Sequence, residues 1–274
     1  MPWPEMMAKD AAHVFRSLIF SSPKKRMLCF PHYPSQGATI FRIAKALQIE
    51  LTNKISGRFD FVIYWEYATV RTEWDALENL NRVDLINLKS RNIGKDHLDQ
   101  MMLDAFGYST KVNPSIHAYK LVRKSITNAV HDGTLIQGPV SPEEGFIYQR
   151  LLDSSVSETE VMDLRVPMMK GKIPHIYKAY RSSDARFVNV PPRVELELDP
   201  NQVLSVQERE QLAKLAELMG LDYAEFDVLR DCEDHKIYVV DANNTPQGPP
   251  KNLSPEEKAL SMSSYASCFK TQFF

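Results

Sequence analysis

The sequence is poor in cysteine: it has three among its 274 residues, Cys29, Cys232 and Cys268, and they stand far apart. An odd number of widely spaced cysteines fits neither a disulfide framework nor a structural zinc site. We therefore expect reduced thiols in a cytoplasmic protein. The chain also has no large excess of positive or negative charge. The formal net charge is -2, which gives no reason to expect a nucleic-acid partner.

Long apolar runs are also absent. None approaches the ~18 residues of a membrane-spanning helix, so we expect no membrane association. Residues 1–22 lack the charged, apolar and small-residue regions of a secretory signal. Residues 11–20, AAHVFRSLIF, are amphipathic. We interpret them as a packed N-terminal helix or a dimer helix, which leaves a homodimer open.

The first third of the chain has the pattern of an open α/β unit. Strands are predicted at 27–30, 58–65 and 83–89, and a helix at 37–49. Strand, helix and strand in this order favour a parallel sheet. Ligands of such sheets bind beyond the ends of the strands. His32 and residues 65–67 follow two of these strands, so they either contact a ligand or serve packing.

The rest of the chain predicts mixed α+β structure. An amphipathic helix at 95–106 ends at Gly107. Short strands follow at 117–125 and 144–152, then a hairpin over 163–181. Ser205 and Glu208 form a capping box that starts the helix 205–220. A last helix is predicted to begin at Ser254.

One strand, in the stretch IYVVDANNTPQGP at 237–249, ends in polar residues. Together with 225–229 it reads as an antiparallel hairpin whose turn centres near residue 233 or 234. Asp227 then lies opposite Asp241 or one place away. Asn243 shares the face of Asp241, because side chains two apart in a strand point the same way.

Two carboxylates within a few ångströms repel each other unless a cation or a shared proton lies between them. Oxygen ligands suit Mg²⁺, which binds one or two protein carboxylates and completes its shell with water and phosphate oxygens. The pattern therefore predicts a magnesium site at Asp227, Asp241 and Asn243. The alternative is a polar strand end that faces solvent.

The segment 220–249 resembles the closing segment of the ATP-grasp superfamily. There, a metal-binding acid on one strand is followed by an acid-x-Asn-x-x-Pro signature on the next, and Asp227, Asp241, Asn243 and Pro246 fall on those positions. Residues 163–173, DLRVPMMKGKI, resemble the Asp-x-Arg hairpin of the glutamate-ligase branch, which with glutathione synthetase is nearest in motif.

The resemblance covers residues 90–250 and implies the ATP-grasp fold: two α+β subdomains that grip a nucleotide, preceded by a small open α/β domain. We expect these three parts at 1–94, 95–148 and 149–274. The middle part would be the lid, and the last would carry the metal site. The implied cofactors are ATP and one or two Mg²⁺ ions.

The resemblance also implies contacts to the nucleotide. Lys95 and Lys124 would bind ATP phosphates, with Lys120 as the alternative to Lys124. Asn189 would lie beside the phosphates. Adenine would contact the backbone of a hinge formed by three residues, Gln149, Arg150 and Leu151.

The resemblance also implies two basic residues beside the phosphoryl group and the substrate carboxylate. Arg165 falls on the arginine of the Asp-x-Arg motif, and Arg181 is the best match to a second basic residue, with Lys178 as the alternative. Such residues face the phosphoryl group and the substrate carboxylate, so we expect an anionic group on that substrate.

The implied activity is an ADP-forming carboxylate–amine ligase, a class that includes ligases of amino acids and peptides. It would activate a small carboxylate as an acyl phosphate and join it to an amine. The alternatives are an ATP-grasp kinase and a nucleotide-binding homologue without turnover. Two departures support the last: Asp241 replaces the usual glutamate, and Arg150 replaces a usual hinge acid. The acid that binds ribose is not assigned, although Asp153 and Glu160 lie nearby.

Overall fold

The structure is a computed structural model that describes residues 25–80, 82, 84–128, 130, 132–185 and 191–274. The predicted amphipathic segment 11–20 and Asn189 lie outside these residues. Within the described part, the chain forms three β-sheets with helices packed against two of them.

The first sheet is parallel, with the strand order β2-β1-β3-β4. All five residues of β3 are buried, as expected of a parallel strand covered on both faces. The predicted open α/β unit is thereby confirmed. Its elements are β1 (Arg26–Pro31), α1 (Thr39–Ala46), β2 (Glu50–Thr52), β3 (Phe61–Trp65), the short α2 (Asp75–Glu78) and β4 (Leu85–Ile86).

A small antiparallel sheet follows, which we call the lid sheet, with the order β6-β5-β7. The helix α3 precedes it and starts at Lys95 as predicted. Its C-cap, Gly107, has φ 78°, a left-handed conformation that glycine adopts without strain. The elements are α3 (Lys95–Phe106), β5 (Lys120–Ser125), β6 (Thr134–Gln137) and β7 (Phe146–Arg150).

The large sheet is antiparallel, with the order β10-β9-β8-β11-β12. The predicted hairpin turns at Lys170 and Gly171, which have φ 44° and 75°. Both predicted helix starts are confirmed by complete capping boxes, at Ser205 and at Ser254. The elements are β8 (Glu160–Met169), β9 (Ile176–Ser182), β10 (Arg193–Glu197), α4 (Val206–Leu218), β11 (Tyr223–Arg230), β12 (Ile237–Asn243) and α5 (Pro255–Phe273).

Two hydrophobic cores cover the two faces of the large sheet. Helices α3 and α4 pack on one face, with Met102 and Leu215 fully buried. The other core joins the large sheet and α5 to the first sheet, since Trp65, Tyr223 and Tyr265 belong to one buried cluster. The first sheet is therefore fixed against the large sheet. The domain limits stay a prediction, although α3, which we assigned to the lid, packs on the large sheet.

His175 lies in this second core and gives a test of the packing. Its ring is fully buried, edge-on to Tyr177 and Tyr265 at centroid distances of 4.7 and 4.5 Å. Nε2 is 3.4 Å from Ser261 Oγ. Burial lowers the pKa of His175 from 6.5 to about 3, because the core disfavours the charged imidazolium.

We predict that His175 destabilises the fold as the pH falls below 6.5, since the unfolded chain then binds a proton that the folded chain does not. Between pH 7 and pH 5 the loss should be about 2 kcal/mol relative to a His175→Gln variant. Urea unfolding of both proteins at the two pH values measures it. Parallel pH dependences for the two proteins would contradict this placement of the ring.

Candidate functional site

The two carboxylates of the predicted hairpin lie side by side. Asp227 on β11 pairs with Asp241 on β12, and on its other side Asp227 pairs with Arg165 on β8. Directly opposed residues share a face of the sheet, so the three side chains form a row. The register shifts just beyond this row: Val228 pairs with Val239, which leaves Val240 as an extra residue in a β-bulge.

The carboxylate of Asp241 has the surroundings of a cation ligand. Its Oδ1 atom is buried without a hydrogen-bond partner among the described residues. Burial raises the pKa of Asp241 to about 6; Lys95, whose Nζ is 3.9 Å from Oδ1, acts to lower this pKa, whereas Asp227 adds to the rise. A buried acceptor next to a second carboxylate is an arrangement that a divalent cation stabilises, so the residues fit the predicted Mg²⁺.

Asn243 completes the oxygen set. Its amide oxygen accepts a hydrogen bond from the Thr245 N–H at 2.9 Å, which turns the chain after the strand. The Thr245 hydroxyl also donates to this oxygen, at 3.3 Å. A cation at Asn243 would replace the contact to the hydroxyl. In the described ranges no cluster of three or more His, Cys, Asp or Glu side chains is arranged to hold a metal. A site with two acids and one amide still satisfies Mg²⁺, which needs only one or two carboxylates.

Two lysines face the carboxylates. Lys95, the first residue of α3, is 11% exposed and donates from Nζ to the Thr127 carbonyl oxygen at 3.0 Å. Burial lowers the pKa of Lys124 on β5, while Asp241 acts to raise it. Lys120 is exposed at the start of β5, opposite Gln137 on the outer strand of the lid sheet. Of the two alternatives, the structure therefore places Lys124 at the site.

A narrow slot of about 110 Å³ lies between the lid sheet and the large sheet. Half of its lining residues are apolar, and Lys124 and Asp163 are its charged members besides Arg150. Gln149 is buried and donates to Thr110 Oγ1 at 2.6 Å. The predicted hinge residues 149–151 line the slot together with Thr110, Val122, Leu152, Ser154, Val161, Leu229 and Val240.

The side chain of Arg150 forms ion pairs, so a contact of this residue to adenine stays the predicted backbone contact. Its Nη2 atom lies 2.8 Å from Asp231 Oδ2 and 3.2 Å from Asp234 Oδ2, and the guanidinium stacks on the ring of Tyr238 at 4.5 Å. The arginine thus ties the hinge to the turn between β11 and β12. Only its backbone remains for adenine.

Arg165 lies in the row with Asp227. Its Nε atom is 3.6 Å from Asp227 Oδ1, and its Nη1 atom is 3.9 Å from Glu225 Oε1. Asp227 raises the pKa of Arg165, so the guanidinium stays charged. Its side chain is 27% exposed toward the cleft, which leaves donors free to reach a ligand.

The second basic residue is not brought to this site. Arg181 is buried in an ion pair with Asp163 and is absent from the described lining of the cleft and the slot. Lys178 follows Tyr177, the residue paired with Arg165, so it points to the opposite face of the sheet. There its Nζ atom lies 3.5 Å from Glu197. The structure therefore brings neither residue to the cleft or the slot.

Sequence reasoning missed several residues of the main cleft, which has a volume of about 700 Å³. Glu225 is 6% exposed and lies at its floor. The sequence could have predicted this position, because Glu225 is two residues before Asp227 and therefore lies on the same face of the strand. Tyr67, expected to contact a ligand or pack, lines the cleft and stacks on His32 at 5.4 Å. Further lining residues are Ala68, Thr69, Ile93, Thr127, Asn128, Asn244, Thr245 and Gln247.

No protein-family profile matches the sequence, and no curated protein matches it. Solved structures do. The macrocyclase MdnC from Microcystis aeruginosa, bound with its precursor peptide, is 12% identical with a TM-score of 0.50; 89% of this chain and 98% of that chain align. The ATP-grasp ligase PsnB, complexed with a minimal precursor, is 11% identical with a TM-score of 0.55, over 92% and 99% of the two chains.

The D-alanine–D-alanine ligase of Bacillus anthracis, complexed with ATP, is similar to the same extent. It is 13% identical with a TM-score of 0.55, and 92% of this chain aligns with 96% of that chain. None of the helices in the described part is long and apolar enough to span a membrane. The similarities extend over all three sheets, and the chain has the ATP-grasp fold, an α+β architecture.

Proposed function

We propose that the protein is an ATP-dependent ligase that activates a carboxylate as an acyl phosphate and joins it to an amine, releasing ADP and phosphate. The observation that carries this proposal is the opposed pair Asp227 and Asp241, with Asn243 beside it and two lysines facing it. This group lies between an apolar slot and Arg165.

The nucleotide fits along the strands of the large sheet. The slot at Leu229 and Val240 would receive adenine, against the hinge backbone. The phosphates would then pass Lys124 and Lys95, which neutralise their charge. Asp227, Asp241 and Asn243 would hold one or two Mg²⁺ ions. A bound metal would stabilise the negative charge that develops on the phosphates during transfer.

The reaction proceeds in two displacements. A carboxylate oxygen of the acid substrate attacks the γ-phosphorus, and the bond to the β-phosphate oxygen breaks, which releases ADP. The amine nitrogen then attacks the acyl carbon, the carbon–oxygen bond to phosphate breaks, and phosphate leaves as the nitrogen loses a proton. Arg165 lies beside Asp227 in the row of carboxylates. Its forked N–H donors would stabilise the acyl phosphate and the oxyanion that follows.

The comparisons support a ligase rather than a kinase, since MdnC, PsnB and the D-alanine–D-alanine ligase all join substrates. Two of them act on precursor peptides, so both small acids and acidic peptide side chains are candidate substrates here. An assay with hydroxylamine as the amine separates the two activities. A ligase gives an acyl hydroxamate, whereas a kinase gives a stable phosphorylated product without amine dependence.

We predict that Asp241→Asn reduces ADP formation about a hundredfold or more, roughly 3 kcal/mol of transition-state stabilisation, because the metal loses a charged ligand. ADP release is measured in a screen of carboxylates with hydroxylamine. Glu233→Gln removes the same charge from the exposed turn of the same hairpin and serves as the matched control. Undiminished activity of Asp241→Asn, with its fold intact by thermal unfolding, would remove the metal role.

The two lysines of β5 give a second test. We predict that Lys124→Met weakens ATP binding about tenfold or more, because a charge-assisted contact to phosphate is lost. Lys120→Met removes an exposed lysine four residues earlier on the same strand and should leave binding unchanged. Calorimetric titration with a non-hydrolysable ATP analogue and Mg²⁺ measures both. Equal effects of the two substitutions would refute the assignment of Lys124.

A further inference from the structure

A second cavity of about 330 Å³ opens beside the main cleft. Arg165 and Gln247 line both, so the two spaces meet at the residue that would face the acyl phosphate. The second cavity lies between α1 of the first domain and the segment after β12. Its other lining residues are Gly37, Arg42, Pro191, Val194, Gly248, Pro249, Pro250, Lys251 and Asn252.

The charge of this cavity is one-sided. Arg42, Arg165 and Lys251 line it, and none of the described residues around it is acidic. No acid among the described residues lies within ion-pair distance of Arg42 or Lys251. Of the other eight lining residues, three are proline and one is valine, which gives the wall an apolar part. The main cleft differs, because Glu225 and Asp227 are among its acids.

Hydrogen bonds between the start of α1 and the segment after β12 fix the backbone around the cavity. The Thr39 N–H donates to the Pro246 carbonyl and the Gly248 N–H donates to the Gly37 carbonyl, each at 3.0 Å. The Ser35 hydroxyl donates to Gln247 Oε1 at 3.1 Å. Arg42 follows one turn into α1, so its backbone is held at the cavity before a ligand arrives.

We propose that this cavity binds the acid substrate and that the substrate is dianionic. One carboxylate lies at Arg165, in reach of the γ-phosphate, and the second anionic group binds Arg42 and Lys251. The proline and valine wall contacts the apolar carbons between them. This inference rests on the proposed ligase function and names its substrate class.

Size and charge support the assignment. A volume of about 330 Å³ is at the lower end of the range for small-molecule sites, roughly 300–1,000 Å³, and suits one small diacid or one acidic side chain. A protonated amine would meet three cations here and no described acid, which disfavours its binding. The amine therefore enters through the main cleft, past Tyr67 and Glu225.

The test is a calorimetric titration of the full chain saturated with Mg²⁺ and a non-hydrolysable ATP analogue. The probes are succinate, glutarate and adipate, each compared with its monoamide, which keeps the size and removes one charge. We expect at least one diacid to bind about tenfold or more tightly than its monoamide, as loss of a charge-assisted contact implies.

Variants locate the second anionic group. Arg42→Ala should abolish the preference for the diacid, and Arg42→Lys should restore part of it. Lys45→Ala removes an exposed cation from the same helix, outside the described lining of the cavity, and should change nothing. Equal binding of diacids and monoamides, no binding of either, or an unchanged preference in Arg42→Ala would each overturn the proposal.

Turnover separates this inference from the proposed function. Hydroxamate formation from monocarboxylates without any preference for diacids would overturn the substrate class and leave the ligase function standing. Diacid binding that requires Arg42, without ADP release from any acid and amine pair, would support the diacid site and overturn the ligase function alone.

Discussion

The site depends on the pairing of β11 with β12, which sets two carboxylates against each other. Asp227 and Asp241 are opposed in the ladder, and the bulge at Val240 follows at once. The bulge lets Val240 line the slot that we propose for adenine, while Asp241 lines the cleft on the same side. The repulsion between the two carboxylates destabilises this arrangement, and a bound metal cation would offset the repulsion.

A second constraint is the core shared by the first sheet and the large sheet. Trp65 packs in the same cluster as Tyr223 and Tyr265, so the first sheet is held against the large sheet, which carries the proposed metal ligands. The loop before α1 is also bonded to the segment after Asn243. These contacts place Arg42 and Arg165, which are far apart in sequence, on the wall of one cavity. Binding groups held before the ligand arrives lose less entropy on binding.

Local sequence signals predicted the carboxylate pair and most of the elements, because caps, periodicity and hairpin register depend on near neighbours. They did not predict β2, β6, β10 or the short α2. The side-chain pairs across the large sheet could not be predicted from such local signals. Arg181 meets Asp163, and Lys178 lies on the far face, only because of the β8–β9 register. Arg150 is drawn to the acids of a turn 80 residues later in the chain, at Asp231 and Asp234. Basic residues are flexible and common, so their type and spacing do not reveal which acid they will pair with.

The most direct measurement of the central claim is a crystal structure of the protein with ADP and Mg²⁺. The account predicts adenine in the slot at Leu229 and Val240, and a metal ion bound by oxygens of Asp227, Asp241 and Asn243. A nucleotide bound elsewhere, or the two aspartates turned apart into solvent around a bound nucleotide, would contradict it.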